Sequence, residues 1–161
     1  MIGDTHQACL LLGSNIDPEI NLNRALNLLR KHANIDINIE KVSAVWKTQA
    51  IGSTGPDFLN VALLVRTNLY AIELKENILR PLESQLGRVR VADKNAPRPI
   101  DVDIIIFDYL LLDSDLWTRA HCAVPVSEVL PCYRSEQGVL LKDVAEKLSK
   151  TTPMTLMPNV F

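Results

Sequence analysis

The sequence has little sulfur, no long apolar run and no excess of basic charge, and each absence excludes something. Its three cysteines, Cys9, Cys122 and Cys132, are odd in number and have no metal-ligand spacing. That argues against a disulfide framework or a thiolate metal site. Reduced, mostly buried thiols in a cytosolic protein are expected instead. No apolar run approaches the ~18 residues of a membrane span, so no membrane partner is expected. A net charge of −2 argues against a nucleic-acid binder, although a local basic pocket is still allowed. The opening Met1–His6 lacks a basic n-region and an apolar h-region, so no secretory signal is expected and the expected location is cytoplasmic. No repeat, low-complexity stretch or linker interrupts the chain. At 161 residues and 47% hydrophobic content, one domain over 1–161 with one sizeable core is expected, acting as a monomer.

What is present centres on the run from Lys94 to Phe107, K-N-A-P-R-P-I-D-V-D-I-I-I-F. Val102, Ile104, Ile105, Ile106 and Phe107 read as a buried strand. Asp101 and Asp103 interrupt it two residues apart, which puts both carboxylates on one face. Like charges that close are costly unless a cation lies between them. Mg²⁺ suits such a site, because it takes one or two carboxylates together with substrate phosphates. Pro97 and Pro99 fix Arg98 in an extended backbone, and a guanidinium held there matches phosphate oxygens bidentately. A bare D-x-D also serves metal–nucleotide sites in glycosyltransferases, and it fits a solvated strand end.

Around this run the periodicity gives an outline. Ala8–Leu12 is a short strand ending at the turn Gly13-Ser14-Asn15. Asp17 as cap and Pro18 at the first position open a helix with Leu22, Ala25, Leu26 and Leu29 on one face, ending near Lys31-His32. Ile35–Ile39 and Lys41–Lys47 are two strand candidates, followed by a loop over Gln49–Pro56 and a strand over Val61–Arg66. Tyr70–Leu86 is a second helix, with a kink expected near Asn77–Arg80 because Pro81 removes a helical hydrogen bond. Gly87 stops it. An Arg- and Lys-bearing loop follows through Asn95, a plausible anion clamp. Tyr109–Leu112 is a short apolar run, and Leu140–Leu148 is an amphipathic helix. Thr151–Phe161 shows little pattern and is expected to be a surface tail.

The string A-P-R-P-I-D-V-D-I-I-I-F, with L-G-S-N near the start, P-D-F-L-N at 56–60 and G-R-V-R at 87–90, resembles the 6-hydroxymethyl-7,8-dihydropterin pyrophosphokinase family. The resemblance covers roughly residues 8–148. It implies an α+β, ferredoxin-like fold with a mainly antiparallel sheet, and Mg²⁺-dependent transfer of diphosphate from ATP to a hydroxymethyl pterin in folate biosynthesis, with AMP released. It implies two Mg²⁺ ions on Asp101 and Asp103, and catalytic roles for Arg88 and Arg98. Glu83, Arg90, Ile104, Thr118 and His121 would lie at the ATP site. Thr48, Ile51, Phe58, Asn60 and Asn95 would line the pterin site, with Phe58 stacking on the ring and Asn60 reading its polar edge.

Two departures stand out. Asn95 occupies a position where the family often carries a Trp that closes over the pterin. V-P-V-S-E-V-L-P at 124–131 also follows His121 almost at once, so a segment that normally supplies an Arg and the second aromatic face is missing. His121 or Trp117 are candidates to replace it. A pyrophosphokinase for a different pterin, or a non-catalytic nucleotide- or pterin-binding relative, stay open. The intact Asp101, Asp103 and Arg98 favour an enzyme.

Overall fold

The computed structural model describes residues 3–32, 36–52 and 54–161. Strand β1 (His6–Ser14) lies between β4 (Phe58–Thr67) and β5 (Asp101–Phe107), and every pairing in the sheet is antiparallel. The order is β6-β5-β1-β4-β3-β7, where β3 is Val45–Thr48, β6 is Leu110–Leu111 and β7 is Met154–Met157. Strand β2 (Ile37–Val42) also pairs with β4, further along it. Helices cover both faces, which gives the ferredoxin-like α+β arrangement.

Side-chain alternation along β1 separates two cores. Ala8, Leu10 and Leu12 face helix α1 (Pro18–Lys31) and the helical run 71–85. Cys9 and Leu11 face α4 (Ala120–Val129) and α5 (Leu141–Thr151). The alternation is what period-2 geometry demands of a strand buried on both sides. A register shift between Cys9 and Leu10 leaves Ile105 as an extra residue on β5. Ile105 and Ile106 therefore both belong to the α4 side, as a bulge requires.

Several expected boundaries move. β1, β4 and α5 are longer than predicted, because cross-strand pairing and packing extend past the apolar run. Asp17 does stand at the start of α1, but in a left-handed conformation with no side-chain cap. Its carbonyl accepts the Asn21 N–H instead. Of the two predicted strands at 35–47, Ile35 lies outside the described residues, and the break falls at Ser43-Ala44 rather than at Glu40. The Ser43 hydroxyl accepts the Ala62 N–H and donates to Ala44 O, so Lys41 and Val42 finish β2.

The second helix is three segments in one run: α2 (Ala71–Glu73), a π-helical stretch over Leu74–Leu79, and α3 (Arg80–Gln85). The π stretch stands where a proline kink was predicted. Widening the ladder ahead of Pro81, with the Arg80 N–H reaching Lys75 O, absorbs the missing donor. The predicted tail is partly a strand: β7 pairs with β3, and Val160 is buried.

Candidate functional site

The site is built on one end of the central strands. Register partners run across the sheet in rows, Thr48 with Phe58, Asn60 with Gly13, Gly13 with Asp101, and Leu11 with Asp103. All of these residues line one cavity, together with Gln49, Ala50, Ile51, Lys94, Asn95, Arg98 and His121. Asp101 and Asp103 share its floor, as two residues apart in a strand must. A second cavity lies beside the first, walled by Arg88, Val89, Arg90 and Val91 and by the turn through Asp93, Ala96 and Pro97. Lys94, Arg98, Asp101 and Asp103 belong to both.

Charges are paired across the shared wall. Arg88 Nη1 lies 2.8 Å from Asp101 Oδ1 and donates to Ile100 O at 2.9 Å. Arg98 Nη1 lies 2.9 Å from Asp101 Oδ2. The Arg98 guanidinium also donates to Lys94 O and Ala96 O, so it ties its own loop as well as the acid. Glu83, which sequence alone leaves as a possible solvated helix-end residue, is 3% exposed. Its Oε1 accepts the Val102 N–H at 2.9 Å and its Oε2 accepts from Arg90 at 3.0 Å. The strand residue between the two aspartates is thus fixed by a third carboxylate. Burial raises the Glu83 pKa, opposed by the Val102 N–H.

Asp103 opens to solvent on its cavity side. Desolvation of the rest of its carboxyl, then Asp101, Asp113 and Glu83, push it up to about 7 against the pull of Arg88. His121 is shifted down, chiefly by burial, so a neutral imidazole faces the first cavity. Asn60 and Thr48 are buried, and Asn60 Nδ2 donates to Thr48 Oγ1 at 2.9 Å. Gly13 packs beside these groups: a Cβ placed on it would stand 3.4 Å from Asn60 Oδ1 and 3.7 Å from Phe58, in ordinary contact.

Of the residues singled out from sequence, Thr48, Ile51, Phe58, Asn60, Asn95, Arg98, Asp101, Asp103 and His121 meet in the first cavity. Arg88 and Arg90 line the second. Glu83 supports both from beneath. Thr118 is exposed after the 3₁₀ turn Ser114–Trp117, and Ile104 is half-buried within β5; neither lines either of these two cavities. Trp117 does not replace a missing aromatic face. It stacks on Tyr133 with centroids 6.0 Å apart and lines a separate groove, whereas His121 lines the first cavity. Leu11, Gly13, Gln49, Ala50 and Lys94 also line it without having been singled out as site residues, although the turn at Gly13-Ser14-Asn15, the loop over Gln49–Pro56 and the Arg- and Lys-bearing loop through Asn95 pointed near them.

An α+β sheet presenting an acid pair between a ring-sized cavity and a cationic trough defines a class of phosphoryl-handling domains. Residues 9–131 match the family model for 7,8-dihydro-6-hydroxymethylpterin-pyrophosphokinase, and the chain belongs to this family. It is 31% identical over 165 residues to the 2-amino-4-hydroxy-6-hydroxymethyldihydropteridine pyrophosphokinase of Synechocystis sp., covering 96% of this chain and 83% of that one. It is 41% identical over 103 residues to the bifunctional protein FolKE of Lactococcus lactis, covering 63% of this chain but 28% of that protein. Among solved structures, a Plasmodium falciparum HPPK-DHPS superposes with a TM-score of 0.70 at 12% identity, over 92% of this chain and 46% of the other. That likeness concerns the fold, and the chain spans under half of that structure's length.

Proposed function

We propose that this chain transfers diphosphate from ATP to the hydroxymethyl group of 6-hydroxymethyl-7,8-dihydropterin, releasing AMP, as a step of folate synthesis. The observation that carries the reading is the shared wall. A cavity with an aromatic and an amide suits a flat heterocycle, a cation-lined trough suits a triphosphate, and Lys94, Arg98, Asp101 and Asp103 stand between them.

Asp101 and Asp103 would hold Mg²⁺. The donors are oxygen only, and two carboxylates leave room for substrate phosphates, the set this hard ion prefers. Asp101 still has acceptor capacity, because a carboxylate offers about four lone-pair sites and two arginines occupy only part of them. Bound there, two such ions would offset triphosphate charge and favour in-line displacement.

The protein groups do the rest. Phe58 stacks on the pterin, and Asn60, its Nδ2 spent on Thr48, presents Oδ1 to ring N–H groups. Thr48, Ile51 and Asn95 complete that wall, and neutral His121 closes the α4 side. Arg90 and Arg98 donate to phosphate oxygens where charge develops as the hydroxymethyl oxygen attacks the β-phosphorus. Arg88 keeps Asp101 in place and reaches the same oxygens. Ile104, whose side chain packs toward the α1 core, would meet the nucleotide through its backbone, and Thr118 only after a local adjustment.

Both cavities are built on one sheet, which supports a single domain, proposed to work as a monomer. The three cysteines are free thiols, which suits a cytoplasmic location. No helix among the described residues is long and apolar enough to cross a membrane. Mixing protein, Mg²⁺ and ATP with a panel of hydroxymethyl pterins and assaying AMP tests the reading. AMP with the standard dihydropterin supports it; AMP only with a bulkier pterin supports the altered-substrate alternative, favoured by Asn95 at the cavity mouth. No AMP with any pterin overturns both.

A further inference from the structure

Asn15, at the end of β1, is 3% exposed and stands between two loops that do not otherwise share a strand. Its backbone N–H donates to Arg98 O at 3.2 Å. Its side-chain Oδ1 accepts the Arg98 N–H at 2.7 Å, and its Nδ2 donates to Pro56 O at 3.3 Å. The amide orientation is unambiguous, because the Arg98 N–H can only donate and the Pro56 carbonyl can only accept. The turn carrying Asn15 is itself braced: Ser14 Oγ and Asn21 Nδ2 both donate to Ile16 O, at 3.1 and 2.7 Å. One buried amide, on a fixed turn, thus sets the backbone at Arg98 and the backbone just ahead of Phe58. Arg98 belongs to the wall shared by both cavities, and Phe58 lines the first.

We infer that Asn15 is a positioning residue that locks the Arg98 segment and the segment 56–57 just ahead of Phe58 into one relative placement, so that the acid pair, the guanidinium and the heterocycle are aligned together. The inference rests on the activity proposed above. Asn15 touches no substrate itself. Its two arms act on different sides, the Oδ1 arm on Arg98 and the Nδ2 arm on the loop before Phe58, and substitutions separate them. Asn15→Ala removes both side-chain arms. Asn15→Asp keeps the acceptor for the Arg98 N–H and loses the donor to Pro56.

The test is steady-state kinetics and amide hydrogen exchange on the full chain, well below its melting temperature. A buried hydrogen-bond partner removed on one side is worth roughly tenfold or more in an equilibrium. Asn15→Ala is therefore expected to lower kcat roughly tenfold and raise the pterin KM by a similar factor, with ATP affinity within about twofold of wild type. Asn15→Asp should recover most of the lost kcat and keep the raised pterin KM. Arg98 amide exchange should be fast in Asn15→Ala and slow in Asn15→Asp. Equal kinetic losses in both variants, or a slow Arg98 amide in Asn15→Ala, would overturn the clamp. If Asn15→Ala does not fold, Asn15→Asp decides alone: a raised pterin KM with a slow Arg98 amide supports it, and wild-type values of KM overturn it. If the wild-type protein makes no AMP, the activity reading fails separately, and the Arg98 amide in the two variants still decides the clamp.

Discussion

Asp103 has a carboxyl with a raised pKa in the free protein. Partial burial and then the carboxylates of Asp101, Asp113 and Glu83 lift it to about 7 from an ordinary 3.8. The folded state holds that proton at pH values where an unfolded chain has lost it, so protonated Asp103 favours folding. That contribution is complete below about pH 4 and vanishes as pH rises through about 7. Without Mg²⁺, Asp103→Asn should therefore gain stability on wild type between pH 4 and pH 8, read from denaturant midpoints; a constant difference across that range would count against the shift. In the assay, Asp101→Asn and Asp103→Asn should each lower turnover by roughly a thousandfold or more, if each carboxylate holds the ion proposed for it. Arg98→Lys should recover only part of what Arg98→Ala loses, because an ammonium cannot serve Asp101, two loop carbonyls and a phosphate with one planar fork; wild-type kcat in Arg98→Lys would refute that. The paired acids and Arg98 were legible in the sequence because strand period and proline placement are local rules. Glu83 was named only through the family resemblance, without its bond to Val102, and the role of Asn15 was not legible, since it comes from Pro56 and Arg98, which lie far away in sequence.

Among the elements, β7 was the least legible. Four residues, Met154 to Met157, have no alternation strong enough to announce a strand, and they form one because the edge of β3 is there to pair with. The same logic applies at Ser43, where a hydroxyl bonded to the Ala62 N–H divides two strands that composition joins. The helix around Pro81 was legible as to cause but not as to form, since proline predicts a lost donor without choosing between a kink and a π stretch. Ending the chain after Thr152 removes the β7 ladder and the buried Val160, and should cost about 3 kcal/mol of stability, mostly from apolar burial. Because β3 runs directly into Gln49 and the first cavity, calorimetry on that truncated chain should show a larger loss for the pterin than for ATP. Equal losses would mean that β7 supports the fold only in general.

At the scale of the whole molecule, the two cavities predict separable ligand affinities. The Asn95 side chain lies beside Gly52, where a Cβ would stand 3.1 Å from Asn95 Nδ2, and Gly52 is in a left-handed conformation. Asn95 also lines the first cavity, so an indole at that position is within reach of a ring bound there. Asn95→Trp should then tighten the standard dihydropterin by roughly 0.5–1.5 kcal/mol of stacking and leave ATP affinity unchanged, as separate titrations would show; a parallel change in both would sink the idea. The layout of the sheet has another consequence, for the chain as it is made. The central strand comes first in sequence, yet Ala8 pairs with Val65 on one side and Phe107 on the other. An apolar stretch, Cys9-Leu10-Leu11-Leu12, thus waits through most of synthesis for its second neighbour. Such long-range pairing makes folding slow and leaves sticky intermediates. A nascent chain halted before Asp101 holds the hydrophobic middle of the molecule with one flank bare, and is the species that chaperones would be expected to meet.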